Sequence, residues 1–183
     1  MTDYFALLDQ PRVPWLNPET LKEVFHRKTL EQHPDSAPGA EREFAKLNEA
    51  YRVLQDPKRR LHHFLSLENH VPPSNQTVPE DLEELFLQVG ALNQTTTQVL
   101  AKVRAASNPL SKSLLKADVV VAQKDVGRLR HKVRELNEAG EERLRRTAAG
   151  EIERIAELHQ RFAYLGRWSA QLDELAFELA NTA

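Results

Sequence analysis

The stretch His33-Pro34-Asp35, together with residues 44–57, which read FAKLNEAYRVLQDP, decides how this chain folds. Pro34 has a fixed φ and no amide hydrogen, so it cannot continue a helix that arrives from the N-terminal side. It also biases His33 away from helical dihedrals. The sequence therefore predicts a polar turn between two amphipathic helices, the second of which ends at Pro57. A turn held by a small rigid scaffold commonly displays binding residues, so His33 and Asp35 are candidates for that role.

Length and composition favour an all-α protein of one or two domains. The chain has 183 residues, enough for a sizeable core, and a formal net charge of -2 that by itself indicates no polyanionic partner. Because there is no cysteine, a disulfide framework and a thiolate metal site are excluded. No apolar run approaches the roughly 20 residues needed to cross a bilayer, and the N-terminus lacks the basic start of a signal peptide. We expect a cytoplasmic protein with no membrane partner.

Start and stop signals divide the chain into helices. Asn17 is typical of an N-cap, with Pro18 at the first helical position, and Asp56-Pro57 ends one helix and begins the next. A joint near Lys124 is left open. The predicted helices cover about residues 3–9, 18–32, 40–55, 57–68, 80–104, 110–146 and 151–180.

A polar, proline-rich segment at residues 69–79 marks the domain boundary. It separates a small helical domain at 1–68, a helical hairpin with flanking short helices, from residues 80–183. Three long apolar stripes with short connections predict that residues 80–183 form an antiparallel three-helix bundle. The stripes of the small domain include Leu21, Phe25, Thr29 and Leu30, then Phe44, Leu47, Tyr51 and Leu54. Those of the bundle include Leu114, Leu115, Val119, Val120 or Val121, Leu158, Phe162 and Leu165.

The N-terminal block resembles a J-domain, the DnaJ-type module that binds DnaK-type chaperones. The opening residues 3–8, DYFALL, resemble the start of that module too. The resemblance implies that the loop at 33–35 engages the chaperone and promotes ATP hydrolysis there. It also implies that the preceding helix offers a basic face to an acidic surface of the chaperone. J-domains commonly have Lys after the aspartate, and this chain has Ser36. The expected chaperone-binding residues are His33, Pro34, Asp35, Lys22, His26, Arg27 and Lys28, the alternative being an ordinary solvated helix face.

Residues 61–67, LHHFLSL, and a helical bundle after a proline-rich hinge resemble HscB, the co-chaperone family of iron–sulfur cluster assembly. That resemblance implies an HscA-like chaperone and a bundle that holds the cluster scaffold protein. The apolar residues it assigns to client binding are Leu85, Phe86, Leu87 and Tyr164. The alternative is bundle core, although the three consecutive residues cannot all face inward. The acidic partners in the family's patch are replaced by Gln88, Ala91 and Gln94, so the fold carries over better than the client.

Other functions find less support in the sequence. Residues 102–134 carry nine basic and two acidic residues, but no aromatic side chain interleaves with them to stack on bases, so we expect no nucleic-acid partner. The seven histidines form no metal pattern, and His131 and His159 each stand alone. Without a phosphate loop or nucleophile motif, we expect a non-enzyme that needs no cofactor. The alternatives to an iron–sulfur co-chaperone are a J-protein with an unrelated client and a structural module with an inactive J-like surface.

Overall fold

The computed structural model of the chain describes residues 2–31, 40–70 and 77–182. These residues form α-helices and one short 3₁₀ turn, and they contain no strand, as the all-α prediction requires. The helices are α1 Tyr4–Leu7, α2 Pro18–Glu31, α3 Ala40–Gln55, α4 Pro57–Leu67, α5 Glu83–Ala105, α6 Pro109–Arg146 and α7 Ile152–Ala180, with the 3₁₀ turn at Glu80–Leu82.

Side-chain caps fix where three of the helices begin. The side-chain oxygens of Asn17, Asp56 and Asn108 each accept a backbone N–H two or three residues later, at 3.0, 2.8 and 2.8 Å. Each cap precedes a proline at the first helical position, where the missing N–H costs nothing. The predicted helix starts near 18, 57 and 110 are therefore confirmed. The joint left open near Lys124 is absent, because α6 runs through it without a break.

The described residues group into two compact units, each of which combines two separate stretches of the sequence. The N-terminal unit contains Met1–Asn75 together with Gly140–Phe162, and the bundle unit contains Gln76–Ala139 with Ala163–Ala183. Residues 140–162, which the sequence analysis assigned to the bundle, therefore belong to the N-terminal unit. Their apolar side chains complete its core.

That core joins α1 to α4 with one end of α6 and one end of α7. Leu144 and Ile155, both fully buried, pack in the same cluster as the buried residues of α4. Apolar surface removed from water is the main stabilising term of such a cluster. Its buried members are Phe5, Leu8, Leu16, Leu21, Leu47, Ala50, Leu54, Leu61, Phe64, Leu65, Leu144, Ile155, Leu158 and Phe162.

A glycine lets α6 and α7 come close within this unit. A Cβ atom added at Gly140 would lie 2.9 Å from Cζ of Phe162, inside van der Waals contact. The aromatic ring therefore occupies the space that any larger residue at position 140 would need.

The hairpin of α2 and α3 is held by an aromatic pair. The rings of Phe25 and Tyr51 stack with centroids 4.2 Å apart and an interplanar angle of 13°. Such pairs stabilise beyond the area they bury, by about 0.5–1.5 kcal/mol. The prediction that Leu30 belongs to the inner stripe is wrong, because its side chain is 80% exposed at the end of α2.

Arg60 is the most deeply buried charge of the N-terminal unit, at 3% exposure. Its guanidinium donates to the carbonyl oxygens of Pro14 at 2.9 Å and Leu54 at 2.8 Å, and it approaches the carboxylate of Glu141 at 3.3 Å. Burial lowers the pKa of Arg60 and the Glu141 charge opposes that shift. Arg60 thus ties the segment before α2, the end of α3 and α6 together through a single side chain.

The bundle unit is the predicted three-helix arrangement, with α6 antiparallel to α7. Ion pairs at its surface record the register: Arg130 meets Asp173 at 2.7 Å and Arg104 meets Glu178 at 3.2 Å. Its buried residues are Leu82, Leu85, Val89, Leu92, Leu100, Val119, Ala122, Val126, Leu129, Val133, Tyr164, Leu165, Trp168, Leu172, Leu175 and Leu179. Among the described helices, none combines the length and the apolar character that crossing a membrane requires.

Candidate functional site

The predicted chaperone-binding loop falls between α2 and α3. His33, Pro34, Asp35 and Ser36 lie outside the described residues. The two helices that flank them are described up to Glu31 and from Ala40 onward, and they pack against each other through the Phe25–Tyr51 stack. The flanking hairpin predicted from the sequence is therefore present.

The predicted basic face lies on α2. Lys22, His26 and Arg27 are exposed, whereas Lys28 is half-buried. Asp9, which follows α1, pairs with Lys28 at 2.9 Å and with Arg27 at 3.5 Å. Two of the four predicted residues therefore have part of their charge offset within the chain, and Lys22 and His26 form no ion pair with any described residue.

Asp9 is a component of this face that sequence reasoning missed. Its φ is 49°, in the left-handed region that Asp and Asn tolerate better than most residues. This backbone conformation ends α1 and leads the chain away from it. The sequence shows an Asp shortly before Pro11, which is typical of a helix end, but it does not show that this residue lies close to α2.

The predicted client-binding residues separate into two kinds. Phe86 and Leu87 are 47% and 68% exposed, so the inference that at least one of the three consecutive residues faces outward is confirmed. Leu85 and Tyr164 are 2% and 8% exposed and belong to the bundle core. The predicted surface is corrected accordingly: Leu85 and Tyr164 are not available to a partner, and Phe86 and Leu87 are the predicted client-binding residues that remain exposed. Phe86 touches that core through Trp168, with ring centroids 6.5 Å apart.

Further exposed apolar side chains lie on α6 and α7, where the sequence analysis expected burial or made no assignment. Leu114, which was predicted to face inward, is 72% exposed. Val120 and Val121, one of which was predicted to face inward, are both more than half exposed. Positions 115, 119 and 122 form the inward side of α6 in their place. The helical spacing allowed either choice, because this part of α6 is apolar on two faces. The other large exposed apolar residues of the bundle are Leu110 and Phe177.

The basic residues of 102–134 are partly neutralised, as in a solvated structural surface. Arg104, Arg128 and Arg130 pair with Glu178, Asp125 and Asp173. Within the described ranges, no group of three or more His, Cys, Asp or Glu residues is arranged to hold a metal ion.

Comparison with known proteins identifies the N-terminal part. Residues 3–63 match the DnaJ domain family. This part of the chain is a DnaJ domain. Curated relatives match over a similar length: DnaJ of Protochlamydia amoebophila is 40% identical over 63 residues, 33% of this chain and 16% of that protein. Human DnaJ homolog subfamily B member 3 is 41% identical over 64 residues, 33% of this chain and 43% of that protein. The aligned segment thus spans less than half the length of each of these relatives.

Solved structures resemble nearly the whole chain and not the DnaJ domain alone. The chaperone HscB from Vibrio cholerae superposes with a TM-score of 0.60 over 97% of this chain and 99% of that one, at 20% sequence identity. Human co-chaperone HscB gives a TM-score of 0.48 over 94% of this chain and 81% of that one, at 16% identity. The Vibrio likeness shows that this chain has the HscB fold.

Proposed function

We propose that this chain is a co-chaperone that binds a DnaK-type, HscA-like chaperone through its DnaJ domain and stimulates ATP hydrolysis by that chaperone. The observation that carries the proposal is the DnaJ-domain match over residues 3–63, which contains His33-Pro34-Asp35 between two packed helices. In this proposal the loop binds the chaperone and promotes its ATP hydrolysis. The exposed side chains of Lys22 and His26 orient the two proteins as they meet and raise the rate at which they associate. The chain itself supplies no catalytic group and acts in the cytoplasm.

A single-turnover ATPase measurement on a DnaK-type chaperone tests the proposal. The full chain should accelerate hydrolysis, and Asp35→Asn should remove the acceleration because the carboxylate is lost while the side chain keeps its size. Glu31→Gln, a charge removal at the end of α2, is the matched control and should stimulate like the parent chain. No stimulation by the parent chain favours the structural module with an inactive J-like surface, for which Ser36 is the supporting observation. Equal stimulation by Asp35→Asn would instead overturn the role proposed for the carboxylate of the loop.

We further propose that the bundle unit holds the client, with an iron–sulfur cluster scaffold protein as the leading candidate. The support is the likeness to the HscB fold and an exposed apolar pair, Phe86 and Leu87, at the position expected for client contact. Exposed apolar clusters of this kind commonly mark protein interaction sites.

Calorimetric titration of the full chain with an iron–sulfur scaffold protein tests this part. Phe86→Ser and Leu87→Ser should each weaken binding by about tenfold or more, as expected for apolar anchors at the centre of an interface. Leu30→Ser, at the exposed apolar position of the DnaJ domain, is the control and should bind unchanged.

The unrelated-client alternative has its own supporting observation. Gln88 and Ala91 stand where the family's patch has acids, and large apolar side chains are exposed elsewhere in the bundle, at Leu110 and Leu114. If the scaffold protein does not bind while ATPase stimulation persists, this alternative replaces the iron–sulfur client.

A further inference from the structure

A pocket of about 460 Å³ in the N-terminal unit has no part in the co-chaperone role proposed above. Four helices contribute to its lining, with most residues coming from α4. Pockets of roughly 300–1,000 Å³ are the usual size for small-molecule sites. The lining residues are Tyr4, Val53, Lys58, Arg59, His62, His63, Ser66 and His159.

The described lining of the pocket carries positive charge and contains no acidic residue to neutralise it. Of the eight described residues that line it, two are cationic, three are histidines and none is acidic. Lys58 and Arg59 form no ion pair within the described ranges. Of the acids close to these residues in sequence, Asp3 pairs with Arg12 at 2.6 Å and Asp56 accepts the backbone N–H of Arg59 at 2.8 Å. Glu157, two residues before His159, is exposed and does not line the pocket.

His159 lines the pocket with a buried ring nitrogen that lacks a hydrogen-bond partner within the described part of the chain. Its side chain is 6% exposed, and its Nδ1 has no hydrogen-bond partner among the described residues. Its ring lies 5.6 Å from that of His62. His63 differs, because its Nε2 accepts the backbone N–H of Tyr4 at 3.1 Å. Buried polar atoms are nearly always paired, so an orphaned one calls for an explanation.

The charges that face His159 are positive. Burial first, and then His62 and Lys58 of α4, lower the pKa of His159 to about 4, with no opposing acid. A bound anion would act in the opposite direction: it favours a protonated imidazole, which donates from both ring nitrogens. The same ligand would thus satisfy Nδ1 and balance Lys58 and Arg59.

We propose that this pocket binds an organic anion of metabolite size, one that carries a phosphate ester, sulfonate or carboxylate group. Lys58, Arg59 and His62 hold the anionic group, and His159 donates a hydrogen bond to it from Nδ1. Tyr4 and Val53 contact the organic part of the ligand. Binding takes up a proton at His159.

Benzenesulfonate is a suitable probe for calorimetry on the full chain, because its charge does not change across the pH range used. Benzenesulfonamide is the matched neutral ligand. The sulfonate should bind, the sulfonamide should bind about tenfold more weakly or not at all, and sulfonate affinity should rise severalfold between about pH 8 and pH 5.5 as proton uptake becomes easier. A histidine side-chain NMR spectrum should show the His159 resonance shifting toward the protonated position at saturation.

Three substitutions distinguish this site from general surface attraction. Lys58→Gln and His62→Gln, both exposed positions that should fold normally, are expected to weaken sulfonate binding about fivefold or more. Lys112→Gln, a lysine of the bundle unit, should leave it unchanged. Equal binding of the charged and neutral ligands, no binding at millimolar concentration, or insensitivity to both pocket substitutions would overturn the proposal.

Discussion

The two units of this protein treat their large apolar side chains in opposite ways. Among the described residues of the N-terminal unit, Leu30 is the one large apolar side chain that is mostly exposed. The bundle unit exposes seven of them: Phe86, Leu87, Leu110, Leu114, Val120, Val121 and Phe177. Charge on a surface mainly sets association rate and orientation, whereas an apolar patch supplies area to be buried. Under the proposed function, this contrast corresponds to a polar contact between the DnaJ domain and the chaperone and an apolar contact between the bundle and the client.

The largest effect we expect concerns where one core ends and the other begins. Leu144→Ala and Leu129→Ala remove equal volumes from α6 at fully or almost fully buried positions, one in each unit, and each should lower the free energy of unfolding by about 2–5 kcal/mol. Hydrogen exchange should show Leu144→Ala releasing amides of α4 most strongly, and Leu129→Ala releasing amides of α5. If Leu144→Ala loosens α5 and leaves α4 protected, the assignment of residues 140–162 is wrong.

The second-largest effect we expect is a loss of stability in acid that originates in the N-terminal unit. His159 has a folded-state pKa of about 4, below its ordinary value of 6.5, because burial disfavours the charged form. The unfolded chain therefore binds more protons between these values, so stability rises from about pH 4 to pH 6.5 and is constant above, by up to about 3 kcal/mol from this group. Urea denaturation at about pH 4.5 and pH 7.5, in a buffer without organic anions, measures it.

His159→Gln should reduce that slope, because the substituted side chain does not titrate; the part due to His63, whose pKa burial also lowers, should remain. His131→Gln, at an exposed position in the bundle unit, is the control and should keep the full slope. A parallel loss of stability in acid for His159→Gln and the parent chain would contradict the assignment to His159.

A smaller effect is expected at the buried arginine. Arg60→Met keeps an unbranched side chain of similar width but leaves the carbonyls of Pro14 and Leu54 without their donor, at a cost of about 1–3 kcal/mol. Glu141→Gln should cost less, since that side chain is 35% exposed and water can replace part of the interaction. Thermal denaturation of both variants gives the ranking, and the opposite order would show that the ion pair outweighs the two carbonyl contacts.

The smallest effect on stability is expected at the exposed apolar positions themselves. Phe86→Ser, Leu87→Ser and Leu30→Ser should each change the free energy of unfolding by about 0.5 kcal/mol or less, as is usual at exposed sites. Chemical denaturation measures this, and it should separate stability from client binding for Phe86 and Leu87. A loss of 2 kcal/mol or more at Phe86 (a threshold typical of core positions) would mean that the patch serves packing against Trp168.

The helix bounds followed from sequence because their determinants are local. Asn17, Asp56 and Asn108, each followed by a proline, cap their helices within three residues, so no knowledge of the rest of the fold was needed. The resemblance of residues 3–8 and 33–57 to a J-domain was equally local, and the DnaJ match confirms it.

What could not be predicted depends on contacts between distant segments. The sequence cannot distinguish which of two apolar faces of α6 turns inward, so Leu114 was misplaced. Tyr164 and Leu85 carry the residue types of a binding patch, and the bundle buries them. Asp9 reaches Lys28 only because the turn after α1 brings it to α2. These are all consequences of tertiary packing overriding a periodic pattern.

The close approach of Gly140 to the ring of Phe162 restricts how this protein can vary. A methyl group introduced at position 140 requires a smaller side chain at position 162, so viable sequences should change at both sites together or at neither. In an alignment of related chains, this would be seen as covariation between two positions twenty-two residues apart. The choice of residue at one position of α6 thus limits the choice of residue at one position of α7.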